Sequence, residues 1–80
     1  MTEEQKKAFL ALVAEYSDME ADDITPDMRF REELGFNSLN FMTFLGDLED
    51  ELDIEVDGDQ VLELITVEDA LSYAEDLIEE

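Results

Sequence analysis

Apolar residues recur along this chain at helical spacing, with no sustained alternation of the kind a strand requires. Thr2 followed by Gln5 three residues later is a capping-box start. Phe9, Leu12, Val13 and Tyr16 then fall at i, i+3, i+4 and i+7, one stripe of a first helix of about four turns. Residues 17–30 form a long connection rich in Asp and broken by Pro26. A connection of that length rarely stays ordered unless it packs, so Ile24, Met28 and Phe30 are expected to tuck onto the core. Asn37 is a suitable N-cap for a second helix, whose buried stripe is Phe41, Leu45, Leu48 and Leu52. Leu39, Met42 and Phe44 add apolar surface on its other sides, and Gly46 interrupts it at a cost of about 1 kcal/mol relative to Ala.

After Asp57-Gly58, the stretch Val61, Leu62, Leu64 and Ile65 reads as one or two helical turns. Thr66 with Asp69 opens the last helix, where Val67, Ala70, Leu71, Ala74, Leu77 and Ile78 repeat at helical spacing. Ile54-Glu55-Val56 alternates, but three residues with no partner strand make no sheet. The expected fold is all-α: a small four-helix bundle of three main helices and one short one, a single domain over residues 1–80.

Charge narrows the function. Twenty-five acids against four bases give a net −21. All four bases (Lys6, Lys7, Arg29, Arg31) lie in the first 31 positions beside eight acids, so residues 32–80 carry seventeen acids and no base. Such a surface repels nucleic acid and anionic lipid and attracts basic protein surfaces or divalent cations. The chain has neither Cys nor His, which removes thiolate chemistry and the one side chain that titrates near neutrality. No apolar run approaches the ~20 residues of a membrane span, and MTEEQKKAFL lacks the apolar stretch of a signal peptide. The expectation is a free-standing, monomeric, cytoplasmic protein that is not inserted in membranes.

Two chemistries compete for the acids and the lone candidate hydroxyl. Asp53-x-Glu55-x-Asp57-Gly58-Asp59 resembles the opening of a calcium-binding EF-hand loop, but position 12 falls on Leu64 and position 9 on Val61, neither of which offers a side-chain oxygen. A small acidic calcium-binding protein is therefore the alternative reading, and no metal site is assigned. Ser38 lacks any His or Cys base, so it is no self-activated nucleophile and the chain is not expected to be an enzyme. It sits where a helix N-terminus would favour an attached phosphate, with Gly35 permitting a sharp turn and Leu39 and Met42 offering an apolar docking surface.

Phe30-Arg31-Glu32-Glu33-Leu34-Gly35-Phe36-Asn37-Ser38-Leu39 resembles the modification site of acyl carrier proteins, whose pattern is Phe-x-x-x-Leu-Gly-x-Asp-Ser-Leu. The resemblance extends through Leu48-Glu49-Asp50-Glu51-Leu52-Asp53-Ile54-Glu55-Val56 and Ile65-Thr66-Val67-Glu68-Asp69-Ala70, covering nearly the whole chain. It implies that a holo-carrier-protein synthase (a phosphopantetheinyl transferase) moves 4′-phosphopantetheine from coenzyme A onto Ser38, flanked by Asn37 and Leu39. The thiol of that arm would carry acyl groups as thioesters for fatty-acid, polyketide or related biosynthesis. Phe41, Leu45, Leu48, Val61, Leu62 and Ile65 become candidate acyl-pocket residues, though each reads first as plain core, a role that does not exclude lining the pocket. Leu39, Met42, Glu49, Asp50 and Asp53 become candidate contacts for acyl-transferring and condensing enzymes with basic surfaces, where charge speeds encounter. Three positions depart from the family: Asn37 replaces the Asp before the serine, and Asn40 and Thr43 stand at the acidic positions two and five residues after it. Those departures favour a discrete, specialised bacterial carrier serving a dedicated pathway.

Overall fold

The computed structural model describes residues 2–79. Helix α1 spans Glu3–Tyr16, α2 Ser38–Leu52 and α3 Val67–Glu79, with 3-10 turns at Ala21–Asp23 and Gln60–Glu63. No strand occurs among the described residues; Arg29 and Thr66 form one isolated antiparallel bridge. The all-helical expectation holds, and the short fourth helix is the single 3-10 turn at 60–63.

Local signals account for the helix ends. Thr2 Oγ1 accepts from the Gln5 N–H (3.1 Å) while Gln5 Oε1 accepts from the Thr2 N–H (2.9 Å), a complete capping box. At α3 the same reciprocal pair forms between Thr66 and Asp69, each bond 3.2 Å, and Asp69 Oδ2 also accepts from the Ile65 N–H. These donors hold the Asp69 carboxyl below the usual carboxylate range, the Thr66 amide contributing most. Helix α2 ends on Asp53 in the left-handed region (φ 54°), its N–H returning to the Glu49 carbonyl.

Aromatic residues organise the core. Phe44 is fully buried and packs against Phe9, Tyr16, Phe30, Phe36 and Phe41, with ring centroids 5.7–6.3 Å apart. This corrects two sequence expectations. Phe44 is not on another side of α2: it lies one turn past Phe41 on the buried face and is the hub of the ring cluster, while Phe41 is half-buried. Gly46 does not break α2 either, because the helix is fixed on both sides by Phe44, Leu45 and Leu48.

The long connection packs as expected, with Ile24 and Phe30 buried and Met28 half-buried. It is also stitched to α3. The first free amides of that helix, Val67 and Glu68, donate to the Met28 and Pro26 carbonyls (2.9 Å each), and the Phe30 N–H donates to the Ile65 carbonyl (3.0 Å). The loop thus satisfies orphan donors that a helix N-terminus leaves open.

Candidate functional site

Residues 29–38 make a tight platform in front of α2. The Glu33 and Leu34 amides both return to the Arg29 carbonyl (3.0 and 3.1 Å), and the Phe36 N–H donates to the Phe30 carbonyl at 2.8 Å. Gly35 takes φ 73°, a left-handed conformation that a side chain resists. Phe30, Leu34 and Phe36 are all buried and anchor the turn from below. Asn37 then caps the helix, its Oδ1 accepting from the Asn40 N–H at 2.8 Å.

This platform delivers Ser38 to the first helical position with its side chain exposed. The Ser38 Oγ accepts a hydrogen bond from Arg31 Nη2 at 3.0 Å. Leu39 and Met42 stand beside it, 76% and 53% exposed. No acid occupies the first turn of α2.

A pocket of about 180 Å3 opens between the platform, α2 and the 60–65 segment. Its apolar wall includes Phe30, Phe36, Phe41, Val61, Leu62, Leu64 and Ile65, and its polar side is formed by Arg29, Arg31 and Glu32. Four of the six candidate acyl-pocket residues, Phe41, Val61, Leu62 and Ile65, therefore share one pocket. Leu45 and Leu48 do not line it; they are buried within the core, 3% and 2% exposed. Because Arg31 both lines the pocket and touches Ser38, the hydroxyl lies next to the pocket's polar edge.

The acids of α2 split by role. Asp50 is exposed. Glu49 is half-buried, and its Oε2 accepts from the Val56 N–H (2.9 Å), so this carboxylate secures the turn after α2. Asp53 is the exposed left-handed C-cap, Asp57 Oδ1 accepts from the Asp59 N–H (2.9 Å), and the Asp57 amide donates to the Tyr73 hydroxyl (2.8 Å). Among the described residues no three acidic side chains converge where they could hold a metal ion.

Sequence reasoning passed over Arg31. Its signal was present: in a chain with only four cations, one stands seven residues before Ser38, across a glycine turn that folds the two together.

The class this fold and geometry define is a small all-helical protein that presents one serine hydroxyl on a hydrogen-bonded turn at a helix N-terminus, beside an apolar pocket. Comparison with known proteins is specific. Residues 7–74 match the family described as the phosphopantetheine attachment site. An acyl carrier protein of Exiguobacterium sibiricum is 41% identical over 63 residues, covering 79% of this chain and 80% of that protein. One of Helicobacter pylori is 32% identical over 66 residues (82% and 85%), and another, of an Exiguobacterium species, is 36% identical over 63 (79% and 80%). The chain belongs to the acyl carrier protein family. Its members are carriers and not enzymes, their prosthetic group is covalently bound 4′-phosphopantetheine, and they work through a phosphopantetheinyl transferase and biosynthetic enzymes. Nothing favours the calcium-binding alternative. No helix among the described residues is long and apolar enough to cross a membrane.

Proposed function

We propose that Ser38 is the attachment residue and that the chain is one carrier unit serving a dedicated acyl pathway. The observation that carries this is the exposed Ser38 hydroxyl, held on a buried platform at the N-terminus of α2 and bordered by an apolar pocket. The residues present fit the group: Ser38 opens a helix N-terminus, whose free N–H groups would favour its phosphate, and the pocket beside it would suit an apolar chain. In the attachment step a base of the transferase takes the Ser38 proton. Oγ forms a bond to the pantetheine-side phosphorus of coenzyme A, the pyrophosphate bridge breaks, and adenosine 3′,5′-bisphosphate leaves. When attached, the arm supplies a terminal thiol that carries acyl groups as thioesters.

Phe41, Val61, Leu62 and Ile65 shelter the start of the acyl chain. At about 180 Å3 the pocket is smaller than the ~300–1,000 Å3 of typical ligand sites, so long cargo needs the 60–65 segment to move outward. Leu39, Met42, Asp50 and Asp53, with the exposed edge of Glu49, face the basic surfaces of partner enzymes. Because Asn37, Asn40 and Thr43 leave the near half of that face uncharged, the carrier favours a dedicated set of partners. We assign it to the cytoplasm, as a monomer.

Intact-mass measurement tests the reading. Incubation with coenzyme A and a broad-specificity transferase is expected to add one phosphopantetheine, and Ser38→Ala to abolish the gain. A wild-type chain that gains no mass, or an S38A variant that still does, overturns it.

A further inference from the structure

The polar side of the site has no assigned task. Arg31 is exposed, and among the described residues it has no carboxylate partner, although acids outnumber bases by 25 to 4. Its nearest acidic neighbours in sequence are both occupied by Arg29: Glu32 pairs with the Arg29 guanidinium at 2.9 Å, and Glu33 Oε1 accepts from the Arg29 N–H at 3.2 Å. The guanidinium of Arg31 is directed instead at Ser38 Oγ, 3.0 Å away. Asn37 and Asn40 are neutral, and the first turn of α2 carries no acid. In a strongly anionic molecule, this corner combines a guanidinium, a helix N-terminus and an absence of nearby carboxylates on α2, all favouring an anion.

Resting on the carrier reading above, we propose that Arg31 is the positioning residue for the phosphodiester formed on Ser38. Esterification turns Oγ into a weaker acceptor and places two non-bridging oxygens, which share one negative charge, two bonds away from it. A guanidinium already 3.0 Å from Oγ reaches them by a small rotation, and its planar fork suits two oxygens of one phosphate. Arg31 also lines the pocket, so holding the phosphate there aims the arm along the pocket edge rather than into solvent. Arg31 therefore changes partner on modification, from Oγ before it to the phosphate after it.

The test uses the full chain before and after loading with coenzyme A and a broad-specificity transferase, followed by 31P and Arg side-chain 15N NMR. On loading, the Arg31 Nε–H signal of the wild type is expected to move. The 31P resonance of Arg31→Gln is expected to be displaced from the wild type, with Arg31→Lys between the two. Lys7→Gln, which removes the same unit charge from α1, should superimpose on the wild type. Thermal melts of the four chains should coincide, since Arg31 and Lys7 are exposed. An Arg31 signal unmoved by loading overturns the proposal whatever the variants do. So does an R31Q phosphorus signal that superimposes on the wild type, or a K7Q signal displaced as far as that of R31Q. Those outcomes leave the carrier reading standing, whereas a wild-type chain that never loads removes both.

Discussion

Gly35 and Tyr16 illustrate how single residues fix this site and its support. A Cβ at Gly35 would meet nothing within 4 Å, yet the backbone there lies at φ 73°. The cost of Gly35→Ala is therefore conformational and not steric, roughly 1–2 kcal/mol. The variant is expected to lower the denaturant midpoint and, because the turn sets the position of Ser38, to slow loading by the transferase. Tyr16 closes the far end of α1 against α2, its hydroxyl donating to Asp47 Oδ2. That bond, with burial and the Asp47 charge, pushes the phenol up to about 12 from its ordinary 10.0. The folded state thus holds the phenolic proton more tightly than the unfolded state does. The associated stability is fully present below pH 10 and is lost as pH rises through about 12. Tyr16→Phe should flatten the stability profile across that window while lowering stability at neutral pH, as read by denaturant melts at several pH values. Ser38 stands out in the sequence as a candidate because its motif is contiguous. Its link to Arg31 does not, because the six intervening residues reverse direction through hydrogen bonds to the Arg29 and Phe30 carbonyls that no local pattern encodes.

Among the elements, the helices were legible because their determinants are local: the capping pairs Thr2–Gln5 and Thr66–Asp69 formed as spaced, and most of each stripe is buried, with Tyr16, Phe41, Leu71, Leu77 and Ile78 half-buried at its edges. Phe44 was misplaced because the first turns of α2 are apolar nearly all round. Only the partners from α1 and the loop, Phe9, Tyr16, Phe30 and Phe36, decide which ring is central. The stitching of the loop to the start of α3 was invisible for the same reason, being a set of contacts between distant segments. Two substitutions probe these elements in opposite directions. Gly46 lies in α2 with an ordinary helical backbone and open space where a Cβ would stand. Gly46→Ala should stabilise by roughly 0.5–1 kcal/mol, mainly by reducing the freedom of the unfolded chain. Thr66→Ala removes the N-cap of α3 and should cost about 1 kcal/mol. Chemical denaturation of each variant reads both signs directly, and a Gly46→Ala variant less stable than wild type would mean that α2 needs its flexibility at that point.

The whole molecule must hold its charge together with little pairing. Arg29–Glu32 is the one ion pair among the described residues, it is exposed, and such pairs contribute ~0–1 kcal/mol. Seventeen acids after residue 31 face no base in that part of the chain, and most stand on the outer faces of α2, the 53–60 turn and α3. The described structure is only 31 × 27 × 20 Å in extent. In dilute buffer of about 0.01 M the screening length is ~30 Å, so every acid feels every other; at about 0.1 M it falls to ~10 Å and only neighbours repel. Folding concentrates these charges relative to the extended chain, so the repulsion penalises the native state more and added salt should stabilise it. Each kcal/mol recovered moves the melting temperature of a domain this size by about 4–8 °C, which makes the effect easy to read by circular dichroism. Magnesium should act at lower concentration than sodium by neutralising adjacent carboxylates in pairs. The gain should rise smoothly without a saturating one-to-one site, because no three acids converge among the described residues. A melting temperature that stays flat from dilute buffer to added salt would show that the unfolded chain carries as much self-repulsion as the bundle. The anionic surface would then cost the fold nothing, and its only consequence would be for encounter with basic partners.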